Sequence, residues 1–299
     1  MTRSNKKKVT VLILGATGML GHTLFKALSA NPSLAVFATA RHKDAKSWFS
    51  STLRKHLIIG LEAEEPSSVT KVITKLKPDV VINCIGLIKQ LEQSDDVMQA
   101  IPINTILPLQ LAQLTKELGS RLILMSTDCV FSGNKGDYRE SDTPDCADLY
   151  GQSKLLGEVT DQKHVLTLRT SIIGHELNSQ HSLVDWFLNQ KKQVTGYTQA
   201  IYSGLPTIAI ANIISDKVLP NSQLHGLYHL SAKPISKFDL LALIAKIYRK
   251  KITIQKSSSP KIDRSLNCTK FQRKTGYKPQ EWETLINLMH QNYLLDHQT

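Results

Sequence analysis

The chain is short of cysteine, of acid and of long apolar runs. Its four cysteines, Cys84, Cys129, Cys146 and Cys268, are scattered and form no Cys-x-x-Cys pair. That argues against a disulfide framework and a cysteine zinc site, and fits a reducing cytoplasm. No apolar run approaches the roughly 18 residues that a membrane span needs. Arg3, Lys6, Lys7 and Lys8 ahead of Val9–Leu14 imitate a short signal peptide. The run flows straight into a glycine turn, however, with no small-residue cleavage pattern, so it reads as a first strand behind a basic tail. There is no internal repeat, no low-complexity segment and no cluster spaced as metal ligands. Acid is scarce, 25 residues against 37 Lys and Arg, for a formal charge of +12. Between Lys246 and Lys278 eleven cations face the single acid Asp263. Three readings of that segment stay open: a solvated basic face, a site for an anionic small molecule, or a nucleic-acid surface. No motif supports the last, so nucleic acid is not expected as a partner.

What remains is ordinary for a globular chain: 299 residues, 41% hydrophobic and 21% charged, enough for one large or two unequal domains. Apolar, β-branched runs at Val9–Leu14, Leu34–Thr39, His56–Ile59, Val80–Cys84, Leu122–Met125 and Val165–Leu168 alternate with helical patterns at Gly21–Ala30, Ser67–Leu76, Asn104–Leu118 and Tyr150–Glu158. Strand, helix, strand in repetition predicts an α/β fold with a doubly wound parallel sheet. After Gly174 the alternation lapses. Helices are expected at Leu183–Leu188, Ile208–Val218 and Phe238–Tyr248, the last capped by Ser236, and a strand at Gly226–Leu230. Residues 1–174 therefore read as a nucleotide-binding domain to which 207–231 returns. Residues 175–206 and 232–299 read as a smaller mixed α/β domain.

Four sites carry chemistry. Gly15-Ala16-Thr17-Gly18-Met19-Leu20-Gly21 follows the first strand and opens a helix. Glycines there let backbone N–H groups and the helix dipole meet a pyrophosphate, although any α/β protein can use such a turn. Tyr150-Gly151-Gln152-Ser153-Lys154 puts a phenol and an ammonium one helical turn apart. A nearby lysine would lower the tyrosine pKa and allow proton exchange with a carbonyl or alcohol oxygen; a plain surface pair is the bland alternative. Ser126-Thr127-Asp128 ends a later strand, where the crevice of a doubly wound sheet lies, with a simple turn capping the strand end as the alternative. The end of the second strand carries Arg41, His42 and Lys43 in place of an acid. Arg41 suits a 2′-phosphate, hence NADPH, with NADH and an exposed basic loop as alternatives.

Taken in order, these sites resemble the extended short-chain dehydrogenase/reductases, and among them the dTDP-4-dehydrorhamnose reductase group. The resemblance spans nearly the whole chain. It rests on Gly15–Gly21, Pro78-Asp79-Val80-Val81-Ile82-Asn83, Asn104 with Leu111-Ala112, Ser126-Thr127-Asp128-Cys129-Val130-Phe131-Ser132-Gly133, Tyr150–Lys154 with Gly157-Glu158, Leu168-Arg169-Thr170-Ser171, Gly204-Leu205-Pro206-Thr207 and Gly226-Leu227-Tyr228-His229. It implies an extended-type Rossmann domain with a C-terminal substrate domain. It implies an NADPH-dependent reduction of the C4 ketone of a nucleotide-linked 4-keto-6-deoxy-hexose, for surface polysaccharide synthesis. Tyr150 would protonate the oxygen, Lys154 would tune Tyr150 and hold the ribose, and Thr127 would orient the ketone. Gly15, Thr17, Gly18, Met19, Leu20, Gly21, Arg41, Glu62, Asn83, Cys84, Ile85, Gly86 and Thr170 would meet the cofactor. Lys89, Gln90, Thr127, Asp128, Tyr202 and Arg264 would meet the substrate, a nucleoside-diphosphate sugar, with Arg264 on the diphosphate. His175 is a further pocket candidate, Asn104 is expected to be structural, and a homodimer is compatible.

The chain departs from the pattern at Cys129, where the group has tyrosine, at Glu62, where it has aspartate, and at Gly86-Leu87-Ile88-Lys89-Gln90. A UDP-linked 2-acetamido 4-keto sugar is therefore an alternative substrate. A non-catalytic regulatory subunit is an alternative function. An epimerase or dehydratase is disfavoured because Asp128 has no acidic neighbour.

Overall fold

The protein is described by a computed structural model that covers residues 8–87 and 92–296. Six strands, β1 (Val9–Leu14), β2 (Leu34–Ala40), β3 (Leu57–Ile59), β4 (Val80–Asn83), β5 (Arg121–Thr127) and β6 (Val165–Thr170), form the body of one sheet. With Gly226–His229 the order is Gly226–His229, β6, β5, β4, β1, β2, β3. Every neighbour is parallel. The order reverses between β1 and β4, and the crevice beyond the carboxyl ends there is where such a sheet takes its ligand.

The strands are apolar on both faces because both are covered. Val11 and Ile13 join Leu24 and Phe25 of helix α1 (Met19–Ser29) in one cluster. Leu12 and Leu14 point the other way, to Ile73, Leu107 and Leu111. This is the two-residue period of a strand serving two cores. Leu20, Leu24, Phe25 and Leu28 make the buried stripe of α1, at helical spacing.

The sequence underestimates two strands. β5 continues through Ser126 and Thr127, and β6 through Arg169 and Thr170, because Ser126 pairs with Arg169 and Thr127 with Thr170. The expected helix over 104–118 begins instead with a π-helical turn, Pro102–Ile106, before Leu107–Leu118. Pro108 has no N–H to give the Asn104 carbonyl, which loosens the ladder at that point. A second π turn, Ile214–Val218, ends the segment that starts as a helix at Thr207–Ile213.

Beyond the main sheet, Ala200–Tyr202 is the middle of three short strands. Ile235–Ser236 lies antiparallel on one edge and Ile262–Asp263 parallel on the other. Helix Lys237–Ile247 follows, with Ser236 Oγ accepting from the Asp239 N–H. Among the described residues no helix is long and apolar enough to cross a membrane.

A buried polar knot lies under the carboxyl ends of β5 and β6. Arg169 donates from Nε to Glu158 Oε1 at 2.8 Å and from Nη2 to Oε2 at 2.7 Å, both side chains being at most 5% exposed. Ser126 Oγ donates to Glu158 Oε1 at 2.6 Å. His229 Nδ1 donates to the Tyr138 carbonyl at 2.9 Å, so its Nε2 faces Arg169 as an acceptor at 3.5 Å. Phe131, stacked on Tyr138, covers the guanidinium at 5.2 Å.

Two outcomes follow. Arg169→Ala strands a buried carboxylate and is expected to cost about 3–5 kcal/mol, read from urea unfolding; a cost under about 1 kcal/mol would show that water reaches the pair. Burial and the Arg169 charge hold the His229 imidazole down to a pKa of about 3, below its ordinary value of 6.5. The unfolded chain then binds the extra proton, so stability falls as pH drops below 6.5, by up to about 1.4 kcal/mol per pH unit. Unfolding measured between about pH 7 and 5, above most carboxylate titrations, should lose that slope in His229→Gln.

Candidate active site

The cleft at the switch point has a volume of about 570 Å³. One end is the start of α1. Gly15 adopts φ 88°, and a Cβ there would lie 2.9 Å from Ile85 Cγ1. A Cβ on Gly21 would lie 1.9 Å from the Gly15 carbonyl, so this glycine lets the helix touch the turn. Gly18 is the N-cap, no side chain caps the helix, and its first turn holds no acid. The first N–H groups are thus left for an anion. Thr17, Gly18, Met19 and Leu20 line the cleft, and Gly15 and Gly21 shape it from behind. Asn83, Cys84, Ile85 and Gly86 continue the wall from β4. Asn83 Oδ1 accepts from the Ile85 N–H at 3.1 Å and sets that turn. Thr170 lines the cleft from the end of β6. This glycine-lined wall and open helix end fit a dinucleotide.

At the centre stand Thr127, Tyr150 and Lys154. Thr127 ends β5, and its Oγ1 accepts from the Cys129 N–H at 3.1 Å and donates to Asp128 Oδ1 at 3.3 Å. Tyr150 is on helix Leu149–Leu156, capped by Asp148, whose Oδ1 accepts from the Gly151 N–H at 2.8 Å. A Cβ on Gly151 would lie 2.4 Å from the Cys129 carbonyl, so only glycine lets this helix press on the turn after β5. The Thr127 hydroxyl and the Tyr150 phenol line the same cleft, and Thr127 acts to lower the phenol's pKa.

The electrostatics correct one expectation. The Tyr150 phenol is held well above its ordinary pKa, first by burial and then by Cys129; Thr127 pulls the other way. Lys154 donates to the Met125 carbonyl at 2.8 Å, and burial lowers its ammonium to about 8, opposed by Glu158 and Cys84. The expected lowering of the phenol is thus replaced by a rise, because burial dominates. Burial also pushes the Cys84 thiol up to about 12.

The far wall carries Asp128, Tyr202 and Arg264, as the sequence suggested. Burial raises the Asp128 carboxyl, against the pull of Arg264 and then Lys237. Lys237, unremarked in the sequence, lines this wall with Glu176, Ser171 and Ser182. Its only sequence signal was its place beside the cap Ser236; the pairing of Ile235 with Tyr202 brings it to the cleft. His175 is not on the cleft. It pairs through Nδ1 with Asp185 at 2.5 Å and through Nε2 with the Tyr248 hydroxyl at 2.8 Å, behind the wall.

Arg41 and Glu62 also stand off the cleft lining. Arg41 is taken by Glu64, with Nη2 at 2.5 and 2.6 Å from its two oxygens. Glu62 is exposed, its N–H donating to Ser68 Oγ at 3.1 Å. Lys89 and Gln90 lie outside the described residues. The basic segment is no single face: Lys246 pairs with Glu283, Lys270 donates to the Leu227 carbonyl, and Lys256 stacks on Phe238. Of its cations, Arg264 is the one on the cleft.

Residues 9–295 match the family described as RmlD substrate binding domain. The methionine adenosyltransferase 2 subunit beta of Danio rerio is 28% identical over 256 residues, 80% of this chain and 73% of that protein. A dTDP-4-dehydrorhamnose reductase of Aggregatibacter actinomycetemcomitans is 26% identical over 301 residues, 92% of this chain and 96% of that protein. The crystal structure of a dTDP-4-dehydrorhamnose reductase from Bacillus anthracis in complex with NADP superposes with a TM-score of 0.77 at 22% identity, covering 95% of this chain and 99% of that one.

Glu64 opposes the use of Arg41 for a 2′-phosphate. An exposed pair of this kind is worth at most about 1 kcal/mol. Glu64→Gln should therefore raise the affinity ratio of NADP⁺ over NAD⁺, read by calorimetry, by up to about fivefold; an unchanged ratio would place the 2′ position away from Arg41.

Proposed function

Since this chain belongs to the RmlD substrate binding domain family, we propose that it is an NADPH-dependent reductase of the C4 ketone in a nucleotide-linked 4-keto-6-deoxy-hexose. The observation that carries this reading is that Thr127, Tyr150 and Lys154 line one cleft together with an open glycine-lined helix end. The bound dinucleotide supplies a hydride to C4. Thr127 and Tyr150 hydrogen-bond the C4 oxygen and fix the face that is presented. Tyr150, kept protonated by burial, gives its proton as charge grows on that oxygen. Lys154, held by the Met125 carbonyl, binds the ribose and stabilises the phenolate left behind. Residues 1–174 with 207–231 would hold the cofactor, and 175–206 with 232–299 the sugar nucleotide, in the cytoplasm.

Support for a dTDP-linked substrate comes from the reductase relatives. The run Gly86–Gln90 keeps a UDP-linked 2-acetamido 4-keto sugar as the competing substrate. A second reading, a non-catalytic dinucleotide-binding subunit, is favoured by the likeness to a subunit beta of methionine adenosyltransferase 2. The assembled Thr127, Tyr150 and Lys154 weigh against it.

Loss of reduced-nicotinamide absorbance, followed with both ketosugar nucleotides in parallel, decides. Turnover of one of them, falling about 10²–10⁴-fold in Tyr150→Phe, is expected. Tight dinucleotide binding with no turnover would favour the subunit reading.

A further inference from the structure

The two walls of the cleft handle negative charge differently. On the sheet side, backbone N–H groups at the start of α1 serve one pyrophosphate. The opposite wall carries two side-chain cations, Lys237 and Arg264. They are rooted on the two outer strands of a three-stranded sheet whose middle strand is Ala200–Tyr202. Lys237 follows Ile235–Ser236 on one edge, and Arg264 follows Ile262–Asp263 on the other. Two strand spacings separate those edges by roughly 10 Å. Across that gap both cations act on one carboxylate, Asp128.

Neither cation is neutralised in place. The Lys237 ammonium stands 4.5 Å from the centroid of the Tyr202 ring. Arg264 spends Nε on the Phe131 carbonyl at 2.7 Å. Among the described residues neither makes an ion pair. The cleft lining sets Lys237 and Arg264 beside Asp128 and Glu176, and an anion held between the two cations would gain from both.

With Arg264 already expected on the diphosphate, we propose that Lys237 completes that anion subsite and is the residue that distinguishes a nucleoside diphosphate from a monophosphate. This rests on the nucleotide-sugar reading above. The separation of the two roots suits two linked phosphoryl groups better than one. Arginine offers a planar fork and lysine a point charge, so one phosphoryl group falls to each. Asp128, next to Thr127, repels phosphate and so leaves the sugar ring against Thr127 and Tyr150.

Calorimetric titration of the full chain with UDP, UMP, dTDP, dTMP and NADP⁺ tests this. In the unsubstituted protein one diphosphate should bind more tightly than its monophosphate. Lys237→Gln and Lys237→Met should lose about tenfold for the diphosphate, the scale of one charge-assisted bond, and little for the monophosphate. Lys237→Arg should keep most of the preference, and NADP⁺ affinity, the readout of intact folding, should not move. A diphosphate-to-monophosphate ratio unchanged in both neutral variants overturns the inference and leaves the reductase reading standing. An unsubstituted protein that binds NADP⁺ but no nucleoside diphosphate overturns both.

Discussion

The bidentate pair between Glu158 and Arg169 ties together the elements that carry the reacting groups. Glu158 lies one turn beyond Lys154, Arg169 is in β6, and Ser126, bound to the same carboxylate, directly precedes Thr127. The Thr127 hydroxyl, the helix of the Tyr150 phenol and the neighbouring strand therefore share one buried charge centre. In low dielectric such a pair is indifferent as a source of stability but costly to break. It fixes geometry because each partner has nowhere else to put its charge. His229, buried and neutral beside Arg169, extends the knot to the last strand of the sheet.

The upper side of the Tyr150 helix is fixed by neutral groups. Asn104 Nδ2 donates to Ser153 Oγ at 3.1 Å, its Oδ1 accepts from the Leu87 N–H at 3.0 Å, and Thr105 donates to the Ser153 carbonyl at 2.7 Å. A Cβ on Gly157 would lie 2.1 Å from the Asn104 carbonyl. The π turn at Pro102–Ile106 is thus part of the site: it presents Asn104 both to the loop after β4 and to the helix. Lys154, hydrogen-bonded to β5, closes the same arrangement from beneath. A substitution here would act on the cleft by moving Tyr150 and Lys154.

Local patterns carried much of this into the sequence. The alternation of apolar runs specifies the parallel sheet, since strands covered on both faces must be apolar throughout. The glycine spacing, Thr127, Tyr150 and Lys154 are legible because they sit at strand ends or on one helix face. What was not legible depends on contacts between distant segments. Glu64 neutralises Arg41 from 23 residues away. Lys237 reaches the cleft only through strand pairing. The strand lengths of β5 and β6 come from mutual register. The phenol's raised pKa is a matter of enclosure, which a Tyr-x-x-x-Lys spacing does not encode.

Protonation links these features to the proposed reaction. Burial raises the Tyr150 phenol in the resting chain, while the Lys154 ammonium on the same helix is lowered to about 8. On the proposed mechanism the phenolate would be stabilised as charge appears on it, which is the differential stabilisation that catalysis requires. On that account Lys154 should exert its pull on Tyr150 in the transition state more than at rest. The desolvation that raises the phenol in the resting chain also strengthens that pull as the proton leaves.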